Sequence, residues 1–153
     1  MTTRRYTLGI TFRGAQDEAR RRGDRSVGTE HLLLALLPDL PSGVVGVDVT
    51  EARTGLDELD RAALRAVGID LASSVPTQGG PHARRLRLTP AAKAAIKASP
   101  AVAGGRRRLG AGHLLLALLS RPAPDPATSL LAHLGVDLAA VRARAGAVGP
   151  TVG

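Results

Sequence analysis

Two histidines occupy matching places in this chain of 153 residues, and histidine is a common metal ligand and proton carrier. His31 and His113 each stand directly before a run of aliphatic residues, 32–37 and 114–119. A zinc site needs about four ligands, whereas the chain has no Cys, only two other histidines and no carboxylate at ligand spacing. The pattern therefore predicts no metal site and no cofactor. Each of these histidines is expected to hydrogen-bond to neighbouring backbone at the start of a buried helix.

Nucleophilic catalysis has no support in the sequence either. None of the seven serines lies in a Gly-x-Ser-x-Gly elbow, and no pair of acidic residues stands out. The absence of Cys also excludes thiol nucleophiles and disulfide scaffolds. We therefore expect a protein that is not an enzyme.

The positive charge of the chain raises the alternative of nucleic-acid binding. Lys and Arg number 21 against 13 Asp and Glu, which gives a net charge of +8. The arginines form clusters, but only two aromatic residues are available for base stacking and no recognised motif is present. A solvated helix end would also accept such cations. A basic nucleic-acid-associated accessory protein therefore stays open as the alternative function. The clusters are Arg20 to Arg22 with Arg25, Arg84 and Arg85 with Arg87, and Arg106 to Arg108.

The amino-acid composition indicates which secondary structure positions the histidines and arginines. Apolar residues make up 44% of the chain, which is too many for a disordered protein, and the abundance of Leu and Ala favours helices. The longest aliphatic runs are six residues, against the roughly 20 that a membrane-spanning helix needs. We expect an all-α protein in the cytoplasm with no membrane segment.

An internal repeat organises the chain. Residues 27–37 (VGTEHLLLALL) recur as 109–119 (LGAGHLLLALL), and the same offset of 82 carries Thr7 onto Thr89. Further on, residues 64–71 match 131–138 at an offset of only 67. The first copy therefore contains 15 extra residues between Pro38 and Asp60.

Each copy is expected to be helical. Leu8, Phe12, Ala15 and Ala19 share one face of a first helix that Gly23 ends. The next expected helices span 31–37, with Thr29 as N-cap and Pro38 at the end, then 57 or 58 to 67, and finally from Leu71 onward. In the second copy we expect helices from Pro90 at a first turn, over 113–119, 127–134 and 138–144.

These patterns predict the limits of the two copies. The first repeat spans 1–72 with an insertion at about 38–57, a linker spans 73–87, the second repeat spans 88–145, and a flexible tail follows at 146–153. Segment 38–54 is compatible with either a loop or a short strand. If the copies fold alike, the two leucine runs meet near a pseudo-twofold axis with Leu34 and Leu116 fully buried.

The tandem pattern resembles the Clp N-terminal repeat domain, which stands at the front of ClpC-, ClpA- and ClpB-type unfoldases. The resemblance rests on Gly28-Thr29-Glu30-His31 with its leucine run, repeated over roughly residues 5–144. It implies a pseudo-twofold tandem repeat of a four-helix motif with about eight helices. The phosphate-binding loop of the motor is missing, since Lys93 and Lys97 are each followed by Ala. A stand-alone N-domain-like protein and a piece of a longer one both remain open.

The resemblance also implies a function. Such domains receive peptides, adaptors or components of Clp unfoldases and proteases, so this chain is expected to act as an adaptor, regulator or decoy. Related domains capture cyclic peptide antibiotics that target ClpC. Tyr6 and Leu88 are the candidates for the hydrophobic ligand surface, with Leu88 at a place where the family carries an aromatic residue.

A phosphoarginine pocket in each repeat is a further implication of the resemblance. In the first copy Arg5 and Thr7 correspond to the residues that hold the phosphate, and Glu30 corresponds to the carboxylate that holds the guanidinium. The second copy retains Arg87 and Thr89 but has Gly112 in place of the carboxylate. We therefore expect at most one working pocket, in the first repeat.

Overall fold

A computed structural model describes residues 8–68, 86–102 and 110–147. Within these ranges the chain forms seven α-helices and one two-stranded sheet, so the predicted all-α repeat fold is confirmed. None of the helices described is long and apolar enough to cross a membrane. The elements are α1 (Leu8–Arg22), β1 (Ser26–Val27), α2 (Thr29–Leu36), α3 (Val49–Ala66), β2 (Arg87–Leu88), α4 (Pro90–Val102), α5 (Ala111–Leu119), α6 (Pro126–His133) and α7 (Leu138–Ala147).

The two leucine helices, α2 and α5, contact each other at the centre of the fold. Leu34 is completely buried, as the sequence predicts. Leu116 is not: it is half-buried and packs against the edge of the core. The expectation of complete burial for Leu116 is therefore wrong, because α5 has one strip that its neighbours leave partly open.

Helix α1 presents the predicted face to the core. Ala15 and Ala19 are completely buried, and Leu8 packs against the core from the first turn. The helix ends before Gly23, whose φ of +76° lies in the left-handed region that glycine adopts without strain. Three arginines fill the last turn, where cations interact favourably with the helix dipole.

A short parallel sheet ties the start of α2 to the start of α4, and the sequence did not predict it. Ser26 pairs with Arg87 and Val27 with Leu88. Strands of two residues are too short to show an alternating pattern, so they leave no periodic signal. The strand β2 begins at residue 87, the last residue of the predicted linker.

Segment 38–54 is neither a simple loop nor a strand. A single 3-10 turn spans Leu37–Asp39, and α3 then begins at Val49, eight residues before the expected start at 57. Asp48 is the N-cap: its Oδ1 accepts from the Glu51 amide at 2.8 Å, and Glu51 Oε2 accepts from the Asp48 amide at 3.2 Å. This reciprocal capping box satisfies two amides at the new helix start.

The early start of α3 is also held by ion pairs to α1. Arg53 bonds to both oxygens of Glu18, whose side chain is 11% exposed. This bond raises the pKa of Arg53 against the opposing effect of burial. Further along α3, Arg22 bonds to Asp57 and Asp60. Helix α3 thus has 18 residues where its counterpart α6 has eight.

The predicted limits of the repeats stay predictions. Residues 69–85, which contain the expected helix from Leu71 and most of the linker at 73–87, lie outside the described residues, as do 103–109 and 148–153. Helix α7 continues to Ala147, three residues beyond the expected end at 144.

Candidate functional site

His31 caps its own helix from inside the core. Its Nδ1 accepts a hydrogen bond from the Gly28 amide at 2.9 Å, and the side chain is 1% exposed. Because Nδ1 accepts, the ring proton belongs on Nε2, which lies 2.7 Å from Asp24 Oδ2 and donates to it. This bond lowers the pKa of Asp24, assisted by the charge of Arg22 and opposed by burial.

His113 repeats the cap in the second copy. Its Nδ1 accepts from the Gly110 amide at 2.9 Å, although the side chain is only half-buried. The predicted backbone bond is therefore confirmed for both histidines. Across residues 8–68, 86–102 and 110–147, no group of three or more metal-ligating side chains comes together.

Thr29 does not cap its own helix, contrary to expectation. Gly28 occupies the N-cap position and Thr29 is the first helical residue. The buried Thr29 hydroxyl instead donates to Asp125 Oδ2 at 3.1 Å and accepts from the Ala127 amide at 3.2 Å. It therefore completes the N-cap of α6, which Asp125 begins. The prediction failed because the partner lies 96 residues away in the sequence.

Arg22 stands among three carboxylates where α1 meets α3. It bonds to Asp24, Asp57 and Asp60, and its side chain is 15% exposed. Burial lowers the pKa of Arg22, but the surrounding carboxylates, Asp60 foremost, raise it overall. Arg22 is consequently held by internal partners, and the Arg20 to Arg22 cluster is not a uniformly solvated basic surface. The clusters at 84–85 and 106–108 lie outside the described residues.

Glu30 is the one member of the predicted phosphoarginine pocket that the structure places. Arg5 and Thr7 lie outside the described residues. Glu30 sits in the first turn of α2 with its side chain 20% exposed, and its carboxylate folds over Gly28, where a Cβ atom would collide with it. Its Oε1 is 3.7 Å from His31 Nδ1. Its Oε2 is buried without a hydrogen-bond partner among the described residues.

The corresponding residues of the second copy form no such pocket. Thr89 Oγ1 accepts from the Ala92 amide at 3.2 Å and so caps α4. Arg87 is exposed in β2, and Gly112 is buried within α5. The second copy therefore has no carboxylate at the place where Glu30 stands in the first.

Leu88, a candidate for the hydrophobic ligand surface, lines an open groove of about 640 Å³. Phe12 of α1 and Leu86 supply further apolar wall, and Arg87 and Lys93 supply positive charge. Tyr6, the other candidate, lies outside the described residues. The sequence did not identify Phe12 or Lys93 as groove residues. The sequence predicted Phe12 only as part of the core-facing side of α1. The pairing of β1 with β2 joins residue 88 to residue 27, and this long-range contact has no signal in the sequence.

A second open cavity, of about 490 Å³, lies in the insertion. Leucine, valine and proline side chains from the 3-10 turn and the following loop form its wall, and Asp48 and Glu51 stand at the start of α3. The sequence predicted the insertion but no cavity within it.

Comparison with known proteins agrees with this fold. Residues 7–104, more than half of the chain, match the Clp repeat (R) N-terminal domain family. Among solved structures, the chain is similar to the N-terminal domain of the caseinolytic protease associated chaperone ClpD from Arabidopsis thaliana. The TM-score is 0.69 at 20% identity, over 95% of this chain and 94% of that chain. At this identity the likeness concerns the fold alone. No curated protein matches the sequence.

Proposed function

Since the chain belongs to the Clp repeat N-terminal domain family, we propose that it is a non-enzymatic module that binds peptide or protein segments. Its partners would be peptides, adaptors or components of Clp unfoldases and proteases. Its role would be that of an adaptor, regulator or decoy in ATP-dependent proteolysis, in the cytoplasm. Capture of a cyclic peptide antibiotic would be one form of the decoy role.

The groove around Leu88 carries this proposal. Three apolar side chains, Phe12, Leu86 and Leu88, stand beside two cations, Arg87 and Lys93. Apolar walls with a few charged groups are typical of ligand-binding clefts, in which burial supplies affinity and charge supplies orientation. An extended segment that carries a large apolar side chain next to a carboxylate matches this composition.

The two lysines of the chain offer a matched test of the groove. Lys93 and Lys97 are both exposed on α4, but only Lys93 lines the groove. The probe is a fluorescein-labelled nonapeptide of alternating Leu and Glu, followed by fluorescence anisotropy at low and physiological salt. We expect Lys93→Glu to weaken binding severalfold and Lys97→Glu to leave it almost unchanged. Equal effects of the two substitutions would show a general charge effect and would contradict the groove.

Leu88 tests the apolar wall. Leu88→Ala removes contact area and should weaken binding of the same peptide. Leu88→Phe restores the aromatic residue that the family carries and should strengthen binding of a peptide with Phe in place of one Leu, by about 0.5 to 1.5 kcal/mol for an aromatic pair. Thermal unfolding of each variant controls for loss of fold. If Leu88→Ala is folded and binds as well as the unmodified chain, the groove is not the binding surface.

A phosphoarginine pocket in the first repeat is a finer part of the proposal. Its support in this structure is Glu30, whose side chain is 20% exposed and whose Oε2 has no hydrogen-bond partner among the described residues. A guanidinium is the donor group that pairs best with such a carboxylate. Titration calorimetry with a phosphoarginine peptide should give a stoichiometry of one, and Glu30→Ala should abolish the heat. Absence of binding, or a loss that follows Arg87→Ala instead, would exclude this pocket.

Nucleic-acid binding remains the alternative, and the described residues give it no specific support. Arg22, at the centre of one arginine cluster, is bonded to three carboxylates. A mobility shift with duplex DNA at ~150 mM salt separates the two functions, because contacts to phosphates alone weaken steeply with salt.

A further inference from the structure

The cavity in the insertion is a second concave surface, and it shares no residue with the groove around Leu88. Its volume of about 490 Å³ falls within the range of clefts that hold a small ligand or a few side chains. Its apolar wall and its two carboxylates are Leu37, Leu40, Val45, Val47, Asp48 and Glu51.

The walls of this cavity are fixed in place. Val44 and Val45 are each only 6% exposed and anchor the loop in the core. The carbonyl oxygen of Gly43 accepts from Arg144 Nη1 at 2.7 Å, which ties the loop to α7. The capping box of Asp48 and Glu51 fixes the other side. A preorganised surface loses less conformational entropy when a partner binds.

The charge around the cavity is opposite to that of the chain. Residues 39–60 contain six acidic side chains and one Arg, a net charge of −5, in a protein whose net charge is +8. Asp57, Glu58 and Asp60 of this segment are bonded to Arg22 or His133.

Asp48 and Glu51 remain available to a ligand. Both are exposed, and the capping box uses one oxygen of each carboxylate. The other oxygen of each has no partner among the residues that the structure describes. An occupant of this cavity would therefore meet apolar side chains beside two negative charges.

The repeat fold does not require the cavity, because the second copy forms without the insertion that builds it. In the second copy, α6 follows α5 after a short connection and forms with only eight residues. The first copy adds 15 residues at the corresponding point and builds the loop, the cavity and the longer α3 from them.

The geometry points to this cavity as a docking site for a cationic partner segment, in which an Arg or Lys lies next to a large apolar side chain. The apolar residue would enter between Leu40 and Val47, and the cation would pair with the free oxygens of Asp48 and Glu51. A short extended segment is favoured over a second copy of the chain because a stable protein interface buries about 800 Å² per partner, far more than this cavity offers.

The test uses variants that remove charge and keep the helix cap. Asn serves as well as Asp at an N-cap, and Gln replaces Glu in a capping box, so Asp48→Asn with Glu51→Gln preserves α3. The matched control is Asp17→Asn with Asp137→Asn, which changes the net charge equally at exposed positions away from the cavity. The probe is a fluorescein-labelled nonapeptide of alternating Leu and Arg.

We expect the cavity double variant to bind this peptide about 3- to 10-fold more weakly, with the control double variant unchanged. Affinity should also fall as salt is raised from about 50 to 300 mM. A nonapeptide of alternating Gly and Arg, which lacks the apolar side chain, should bind weakly to all forms. Lys93→Glu, which belongs to the other groove, should not weaken binding of the Leu and Arg peptide.

Three results would overturn the inference. If the two double variants lose affinity for the Leu and Arg peptide equally, the effect comes from net charge alone. If the Gly and Arg peptide binds the unmodified chain as tightly as the Leu and Arg peptide does, the apolar wall has no role. Sedimentation that shows a dimer abolished by the cavity double variant would assign the surface to a second copy of the chain. None of these results bears on the Leu88 groove, so the two proposals fail independently.

Discussion

Helices α2 and α5 carry the same sequence pattern and lie in different surroundings. Helix α2 contacts α1, α3, α4, α5 and α6, whereas α5 contacts α2, α4, α6 and α7. His31 is 1% exposed and hydrogen-bonded at both ring nitrogens, while His113 is half-buried and bonded through Nδ1. The motif thus sets the local cap in both copies, and the neighbouring helices decide how deeply each side chain is buried.

The largest expected difference between the copies concerns the leucines at repeat-related positions 34 and 116. Leu34→Ala should lower the free energy of unfolding by about 2 to 5 kcal/mol, because it opens a cavity in a completely buried site. Leu116→Ala should cost less, about 1 kcal/mol, since that side chain is half-buried and solvent can fill the space. Urea denaturation measures both values.

The neighbouring pair, Leu33 and Leu115, provides the control. Both side chains are completely buried, so their truncations should have similar costs. If Leu116→Ala costs as much as Leu34→Ala, the two helices are equally buried and the comparison fails.

An intermediate difference is expected at the histidines. His31→Ala removes a buried ring that accepts from Gly28 and donates to Asp24, and it should cost about 1 to 3 kcal/mol. His113→Ala removes one partly exposed cap and should cost about 0.5 to 1.5 kcal/mol. Hydrogen exchange at the Gly28 and Gly110 amides should accelerate in the respective variant, and an order of stability opposite to this one would contradict the assigned network.

The smallest expected effect is a change in how the free energy of unfolding depends on pH in the acid range. It comes from Asp24 in the first copy. The pKa of Asp24 lies below its ordinary value of 3.8 in the folded chain, so the unfolded chain takes up the proton first. The stability from Asp24 is present above pH 3.8 and is lost as the pH falls through the lowered pKa. Asp24→Asn should therefore flatten the acid limb of the stability curve.

The pKa of Asp60 is shifted in the opposite direction from that of Asp24, so Asp60 serves as the comparison. Burial raises its pKa, helped by Asp24 and Asp57 and opposed by Arg22, so its contribution is lost as the pH rises through that pKa. Its side chain is 53% exposed, which makes the effect small. Asp60→Asn should steepen the acid limb slightly in unfolding curves recorded across the acid range, and a flattening like that of Asp24→Asn would refute the assigned signs.

Local patterns predicted that most of the described helices form and that the two histidines bond to neighbouring backbone. They placed the start of α3 eight residues too late and assigned the N-cap of α2 to Thr29 instead of Gly28. The leucine runs at 32–37 and 114–119 are apolar all round, which requires burial, and a His three residues after a Gly can reach back to its amide. The start of α3 also has a local signal in the sequence, because Asp48-Val49-Thr50-Glu51 matches the capping-box pattern.

Long-range contacts set the limit of prediction. Three such contacts join residues more than 60 positions apart. Thr29 bonds to Asp125 and Ala127, Val27 pairs with Leu88, and Phe12 and Lys93 line the same groove. No spacing within a helix encodes such contacts. The sequence therefore singled out Glu30 and Leu88 as individual candidates, but it did not predict the groove that Leu88 lines.

The bond from Thr29 to the start of α6 has a consequence for the order in which the chain is made. Thr29 leaves the ribosome 96 residues before Asp125, so α2 emerges with a hydroxyl whose two partners do not yet exist. When α6 is synthesised, the Thr29 hydroxyl that accepts from its Ala127 amide is already present on an earlier segment. The hydrogen bonds that join the start of α2 to the start of α6 are therefore expected to form only after residue 127 has been released.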